Sequence, residues 1–440
     1  MLRQAAFLLK HLLDIGYSVS LILNMKDAIQ YDLIVVGGGP AGMMCAGRAA
    51  ERGARVLLLE KNPMLGKKLS ITGGGRCNLT NDTPTIRELV ARYGTGGKAL
   101  FPAFSRFTPA DAVNFFNERG LPTKVEAEGR VFPVSNDAND VVRVLGEYLR
   151  QGKVKVVLNA PVHKVVVYDD HVRVMWSLGE WRAAAVAVAT GGLAYPETGS
   201  TGEGFAWLAK LGHKIVRPDA SLVPLRVKEP WVGELSGLSL SGVRASVVVN
   251  DKKVESKTGK LLFTHFGLSG PLILNMSRAV GEALKKNAVD ILLDLFPKDT
   301  LPALDAELLR LFASNQNKKI KNVAALFFPP KVGGLALGAA GIDPEKFVNL
   351  VTRDERLRLV KFAKNMRLAV AGLMGLDDAI VSSGGVSPAE VDFRTMRSKL
   401  HPNLYILGDA LNFNRPSGGF SLQICWTTGY LAGEAVLIGK

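Results

Sequence analysis

Between Tyr31 and Glu60 the chain passes through five signals in an order that few folds accommodate. Tyr31–Val36 (YDLIVV) is a β-branched, apolar run of strand length that stops abruptly at Gly37-Gly38-Gly39-Pro40-Ala41-Gly42. A helical stretch of small residues follows, Met43–Arg52, and Gly53 closes it. A second strand, Arg55–Leu59, then ends in Glu60. Strand, glycine turn, helix, strand and acid are the parts of the βαβ unit that binds a dinucleotide. Gly37 permits the tight turn, Gly39 lets backbone approach a pyrophosphate, and Gly42 lets helix and strand pack closely. With Pro40 and Ala41 they open a helix whose unpaired N–H groups suit an anion. Glu60 falls 23 residues after Gly37, where a carboxylate can accept both hydroxyls of an adenosine ribose. That acid disfavours a ribose 2′-phosphate, which leaves FAD or NAD and not NADP.

FAD and NAD separate on what lies elsewhere. Ala183–Ala189 reads as a buried strand ending at Thr190-Gly191-Gly192, and Leu404–Leu407 as another ending at Gly408-Asp409-Ala410. In two-dinucleotide flavoproteins, turns of these kinds return the chain to the same cofactor, and the late acid takes the ribitol hydroxyls. NAD has no ribitol, so Asp409 argues for FAD. No second strand–GxGxxG–helix unit appears, because Gly333-Gly334 and Gly338 lack a flanking strand and terminal acid. The electron partner is therefore expected to be the substrate, oxygen, or a nicotinamide that docks transiently.

Lys67–Asn81 (KKLSITGGGRCNLTN) and Leu262–Pro271 (LFTHFGLSGP) resemble one family of bacterial FAD-dependent oxidoreductases, as do Gly129–Asp140 and the GGV and TMRSKL segments within Ser383–Tyr405. Members of that family include aminoacetone oxidase and flavin reductases of bile-acid pathways. The resemblance runs from Asp27 to the end. It implies an α/β fold: a discontinuous Rossmann-like FAD-binding domain with an inserted α+β domain, part small β-barrel and part helical. The expected boundaries are 25–221 and 381–440 for the FAD-binding domain and 222–380 for the insert, with 1–24 an accessory segment. Where relatives often carry Gly-Gly-Tyr-Asn, this chain has Gly418-Gly419-Phe420-Ser421, so substrate identity does not transfer.

The flavin supplies redox chemistry and the protein supplies position and electrostatics. Gly418-Gly419 precede a helical run, Leu422–Leu437. If its N-terminus faces the flavin, as the resemblance suggests, the helix dipole stabilises the reduced ring, and Gly419 and Phe420 join the site. Gly73-Gly74-Gly75 suits backbone lying against a flat ring, with Arg76 and Asn78 as the polar groups held near the flavin or an anionic substrate. Lys67 and Lys68 either neutralise phosphate or are solvated. Lys61, Thr72 and Val162 complete the expected cofactor set. His265 is the only histidine in 222–380 and the candidate for proton transfer near neutral pH, with Arg76 the second catalytic candidate. It is expected to lie between an apolar strand and a helix capped by Ser269, with Pro271 in the first turn.

Cys45, Cys77 and Cys425 form no CxxC pair, and the six histidines show no ligand spacing. Neither a dithiol relay nor a metal site is expected, and the chain reads as cytoplasmic. The first 24 residues are apolar, but their longest uncharged stretch ends at Met25, far short of the roughly 20 residues that span a bilayer. The formal charge of +15 is weighted toward the insert, where 23 Lys and Arg face 16 Asp and Glu. Nucleic-acid binding would usually add aromatics or a recognisable module, and neither is found. A solvated basic face and a small-molecule substrate are the first expectation. A flavoprotein that uses the basic insert to modify or bind RNA is the alternative.

Overall fold

The computed structural model describes residues 30–374 and 381–436. The segment 1–24 and Leu437 at the end of the expected last helix lie outside the described residues. The chain forms two compact units: the first holds what precedes Ala220 and follows Ile380, and the second is Ala220–Ile380.

The first unit is built on a parallel sheet. Tyr31–Val36 lies between Val56–Leu59 and Gly179–Val188, and Lys155–Val157 and Leu404–Ile406 extend the sheet on the two sides, every neighbour parallel. Strands buried on both faces read as continuous apolar runs, which is why YDLIVV and VLLL carry no alternation. Leu33, Ile34, Val35, Leu57 and Leu58 are all fully buried. Beyond the parallel core Gly179–Val188 turns antiparallel to Val172–Trp176, which pairs with Val162–Val167.

Two helices meet over this sheet at a seam of small residues. The fingerprint helix spans Pro40–Glu51 and the last helix Phe420–Ala435. A Cβ on Gly429 would lie 2.4 Å from Ala41 O, and one on Gly433 2.7 Å from Cys45 O. These two glycines, four apart on one face of the helix, let its backbone reach the neighbouring backbone. An ion pair between Arg48 and Glu434 closes the far end of the seam.

The second unit has a closed six-stranded barrel of Leu225–Val227, Gly267–Ser269, Lys252–Thr264, Ser239–Val249, Val289–Asp294 and Met366–Leu373. Its interior is apolar, with Leu225, Val247, Phe263, Ile291 and Leu368 fully buried. Closure leaves no edge strand unpaired. A helical part follows: Leu301–Ala313, Ile320–Phe327, Val332–Ala340 and Arg353–Lys364. The last of these starts with a capping box, in which Thr352 Oγ1 accepts from the Glu355 amide and Glu355 accepts from the Thr352 amide.

Among the described residues no single helix is long and apolar enough to cross a membrane. The bent pair Ile320–Phe327 and Val332–Ala340 qualifies by composition, but its apolar residues Ile320, Val323, Val332 and Leu337 are fully buried.

Candidate functional site

The glycine turn shows which of its positions serve the fold and which leave room for a ligand. Gly37 has φ +111°, and a Cβ there would lie 2.5 Å from Ala189 O. At Gly42 a Cβ would lie 1.9 Å from Gly37 O, so no side chain fits while the helix keeps its place. Gly39 differs: it has an ordinary negative φ, and a Cβ there would meet nothing within 4 Å. The open side of Gly39 lies at the N-terminus of Pro40–Glu51, which has no side-chain cap and no acid in its first turn. Free N–H groups beside open space are what a diphosphate requires.

Glu60 ends the second strand and is 8% exposed. Its Oε2 accepts from the Gly38 amide (2.6 Å), and its Oε1 accepts from the amide and side chain of Asn62 (2.8 and 2.7 Å). The carboxylate is thereby fixed against the turn, and Oε2 keeps a lone pair for a hydroxyl. Val162 is buried nearby, since the Ala160 amide donates to Glu60 O (2.9 Å). Thr190 and Gly191 leave the neighbouring strand beside Gly37, and Gly191 has φ +77°. Lys61 and Lys68 both reach toward residues 194–203.

The triple glycine forms a left-handed turn, with φ of +58°, +68° and +82° at Gly73, Gly74 and Gly75, and beyond Arg76 the chain returns to positive φ at Cys77 (+56°). A Cβ on Gly74 or Gly75 would meet open space. The Thr72 carbonyl closes the loop by accepting from the Gly75 and Cys77 amides (3.1 and 2.9 Å).

Arg76 is turned away from the glycines. Its guanidinium pairs with the Glu126 carboxylate, donates to Asn136 Oδ1, and lies 4.2 Å over the Phe132 ring. Its charge is answered there, so what Arg76 does in this structure is brace the loop. Asn78 is also committed to protein. In the orientation that satisfies its amide, it donates to Val131 O and Thr80 O and accepts from the Gly419 amide (3.1 Å). Cys77 is fully buried, and burial pushes its thiol up to about 12, with a hydrogen bond from Thr72 opposing. A thiolate nucleophile is not available at that position.

From the other end of the chain, Gly408 packs against the fingerprint helix, where a Cβ on it would lie 3.0 Å from the Ala41 methyl. Its amide donates to Thr428 Oγ1 (3.0 Å). Asp409 pairs with Arg415 (3.0 Å), whose side chain is wholly buried. Burial lowers the pKa of the Lys68 ammonium below the ordinary lysine value, and the facing Asp409 charge opposes the effect. Gly419 has φ +99° and caps the last helix, which carries no acid in its first turn; a Cβ there would lie 2.3 Å from Thr80 O. Tyr93 donates to Phe420 O (2.8 Å).

The first unit thus gathers the glycine turn, Glu60, Thr190, Lys68, the Gly408-Asp409 turn and the start of the last helix. Sequence reasoning missed Arg415. It stands six residues after Asp409 in an Asn-Phe-Asn-Arg-Pro run, and only the nearby acid hints at an ion pair.

His265 belongs to the second unit. It is exposed in the turn between Lys252–Thr264 and Gly267–Ser269, edge-on to Phe266. The expected cap needs correction. Ser269 ends a strand, paired with Leu262, and Gly270 is the N-cap of the short helix Pro271–Leu274. Gly270 has φ +87°, and a Cβ there would lie 2.9 Å from the Leu262 amide nitrogen, so no serine fits the corner.

A family model described as the HI0933-like protein Rossmann domain matches residues 31–435. The chain is 27% identical over 414 residues to the ribosomal RNA dihydrouridine synthase of Escherichia coli, covering 93% of this chain and 99% of that protein. It is also 27% identical over 421 residues to the 3-dehydro-bile acid delta(4,6)-reductase of Clostridium scindens, covering 91% and 98%. Among solved structures, a 3-ketosteroid delta1-dehydrogenase from Sterolibacterium denitrificans superposes with a TM-score of 0.53 at 14% identity, covering 92% of this chain and 99% of that one. A flavocytochrome c3 fumarate reductase superposes with a TM-score of 0.51 at 16% identity, covering 96% and 81%. At these identities the two structures show a shared fold alone, that of FAD flavoenzymes.

Proposed function

The chain belongs to the HI0933-like Rossmann-domain family, a flavoenzyme-like family of oxidoreductases, and on that premise we infer that it holds FAD on its first unit and reduces a ring carbon–carbon double bond. The observation that carries the cofactor reading is the open side of Gly39 at an uncapped helix N-terminus, with Glu60 fixed beside it. In this reading the helix start at Pro40–Gly42 holds the diphosphate, Glu60 the adenosine ribose and Asp409 the ribitol hydroxyls. Bound there, FAD supplies a hydride carrier. In the same reading the start of the last helix, uncapped and free of acids, favours negative charge on that carrier.

The direction of the reaction comes from the relatives. The names of the two quoted above both describe hydrogen entering a ring double bond, in a uridine of ribosomal RNA and in a bile acid. The second hydrogen arrives as a proton; the histidine singled out by the sequence, His265, belongs to the second unit. Arg76 then supports the glycine loop through Glu126 and Phe132 and does not act on the substrate. Electrons are proposed to come from a nicotinamide that docks transiently.

Charge favours RNA as a second reading of the substrate: the chain carries +15, and the insert is its more basic part. Phosphate contacts by Lys and Arg make such binding steeply salt-dependent. The deciding experiment is anaerobic. Holoprotein is reduced with NADH or NADPH and then mixed with a conjugated 3-ketosteroid or with a uridine-containing ribosomal RNA fragment. Return of the oxidised flavin spectrum with one of them identifies the substrate class. Failure of both to reoxidise the flavin rejects double-bond reduction.

A further inference from the structure

Lys67 and Lys68, which the sequence leaves between phosphate binding and solvent, and Lys61, expected at the cofactor, all grip one loop. Lys61 Nζ donates to Thr201 Oγ1 (2.7 Å) and pairs with Glu203 (2.8 Å). Lys67 Nζ donates to Glu197 O (2.7 Å). Lys68 Nζ donates to Ala194 O (2.5 Å) and Ser200 Oγ (2.7 Å). Asn62 adds a further tie, donating to Thr198 O (3.0 Å) while its other bonds hold Glu60.

Segment 60–68 and the strand end that leads into loop 194–203 flank the glycine turn. The Gly66 amide donates to Gly38 O (2.9 Å) on one side, and Gly37 abuts Ala189 and Thr190 on the other. The loop is shaped for this seat. Tyr195, Gly199 and Gly202 all have positive φ, and a Cβ on Gly199 would lie 2.5 Å from Asn62 Nδ2. Ammonium groups spent on carbonyl, hydroxyl and carboxylate oxygens are not spent on phosphate. Each bond to a charged donor is worth more than a neutral one.

We propose that Lys61, Lys67 and Lys68 are positioning residues that latch loop 194–203 across the glycine turn and set how long the dinucleotide stays bound. The proposal rests on the FAD reading above and adds a role for these side chains that does not pass through the reaction.

The test is FAD release from holoprotein diluted into cofactor-free buffer, followed by the fluorescence of free flavin. The Lys61→Met/Lys67→Met double variant removes the two outer ties and leaves the more buried Lys68. It is expected to release FAD at least about tenfold faster, since one charge-assisted hydrogen bond alone commands about that factor and two ties are lost. The thermal midpoint of its apoprotein should stay close to wild type, because exposed ties to one surface loop govern local opening far more than global unfolding, and Lys61→Arg/Lys67→Arg should restore slow release. High salt should speed release from the wild type, because the Lys61–Glu203 pair is partly exposed. Release at the wild-type rate from the Met variant overturns the latch, and so does faster release accompanied by an equal loss of apoprotein stability. A protein that takes up no FAD after reconstitution removes the cofactor reading itself, a result distinct from either.

Discussion

Replacing Gly39 with alanine should separate the fold from its ligand. The backbone at Gly39 is already in a region open to any residue, at φ −81° and ψ −175°, and the new methyl would have no protein atom within 4 Å. Folding should therefore lose only the difference between glycine and alanine at an N-cap, about 0.5–1 kcal/mol. The methyl points into the space assigned to the diphosphate, however, and intruding on a close-packed contact costs about 1–3 kcal/mol. That corresponds to FAD binding weaker by roughly 5- to 150-fold. Gly42→Ala is the converse control. Its methyl would sit 1.9 Å from Gly37 O, so the helix must move, and stability should fall by about 3 kcal/mol or more. FAD titration of apoprotein, followed by flavin fluorescence, gives the affinity, and urea denaturation gives the stability. If Gly39→Ala binds FAD as wild type does, the diphosphate does not approach that position and the assignment of the turn is wrong.

Other outcomes follow from the same geometry. His265→Asn should keep FAD, because His265 lies in the second unit and touches none of the residues assigned to the cofactor; loss of bound FAD from the purified variant would contradict that assignment. Arg415→Met leaves Asp409 without its buried partner and should cost about 3 kcal/mol, read by urea denaturation. All three cysteines are buried with raised pKa values, Cys77 at about 12 against an ordinary 9.0. A raised folded pKa gives stability that is whole below the unfolded value and is lost above it. The urea midpoint should therefore fall as pH rises past about 9, and native protein should resist alkylation at neutral pH; a thiol labelled without unfolding would contradict this.

What could be read in the sequence was what depends on near neighbours. The phosphate turn needs glycines at fixed offsets between a strand and a helix, so Gly37, Gly39, Gly42 and Glu60 announce themselves within thirty residues. The last helix was foreseen from its small residues, although it starts at Phe420 and not Leu422. Pairings across long separations were not legible. Nothing near Arg76 points to Glu126 and Phe132, some fifty residues on, which hold its guanidinium in this fold. The partners of Lys61, Lys67 and Lys68 are hidden for the same reason, their acceptors being more than 120 residues away. The Ser269 cap failed on backbone geometry: serine is the better cap by propensity, but the corner requires a positive φ and no Cβ. The barrel was expected from family resemblance and not from pattern, because the outward run of Lys252–Thr264 is too polar to advertise a core strand.

The central claim is that this chain is a flavoprotein. Its most direct test is the flavin released by heat or acid from protein purified, or reconstituted with FAD and then freed of excess. The expected result is FAD, one per chain, and a yellow protein whose visible band is bleached anaerobically by a nicotinamide. A colourless protein that retains no FAD after reconstitution would contradict it.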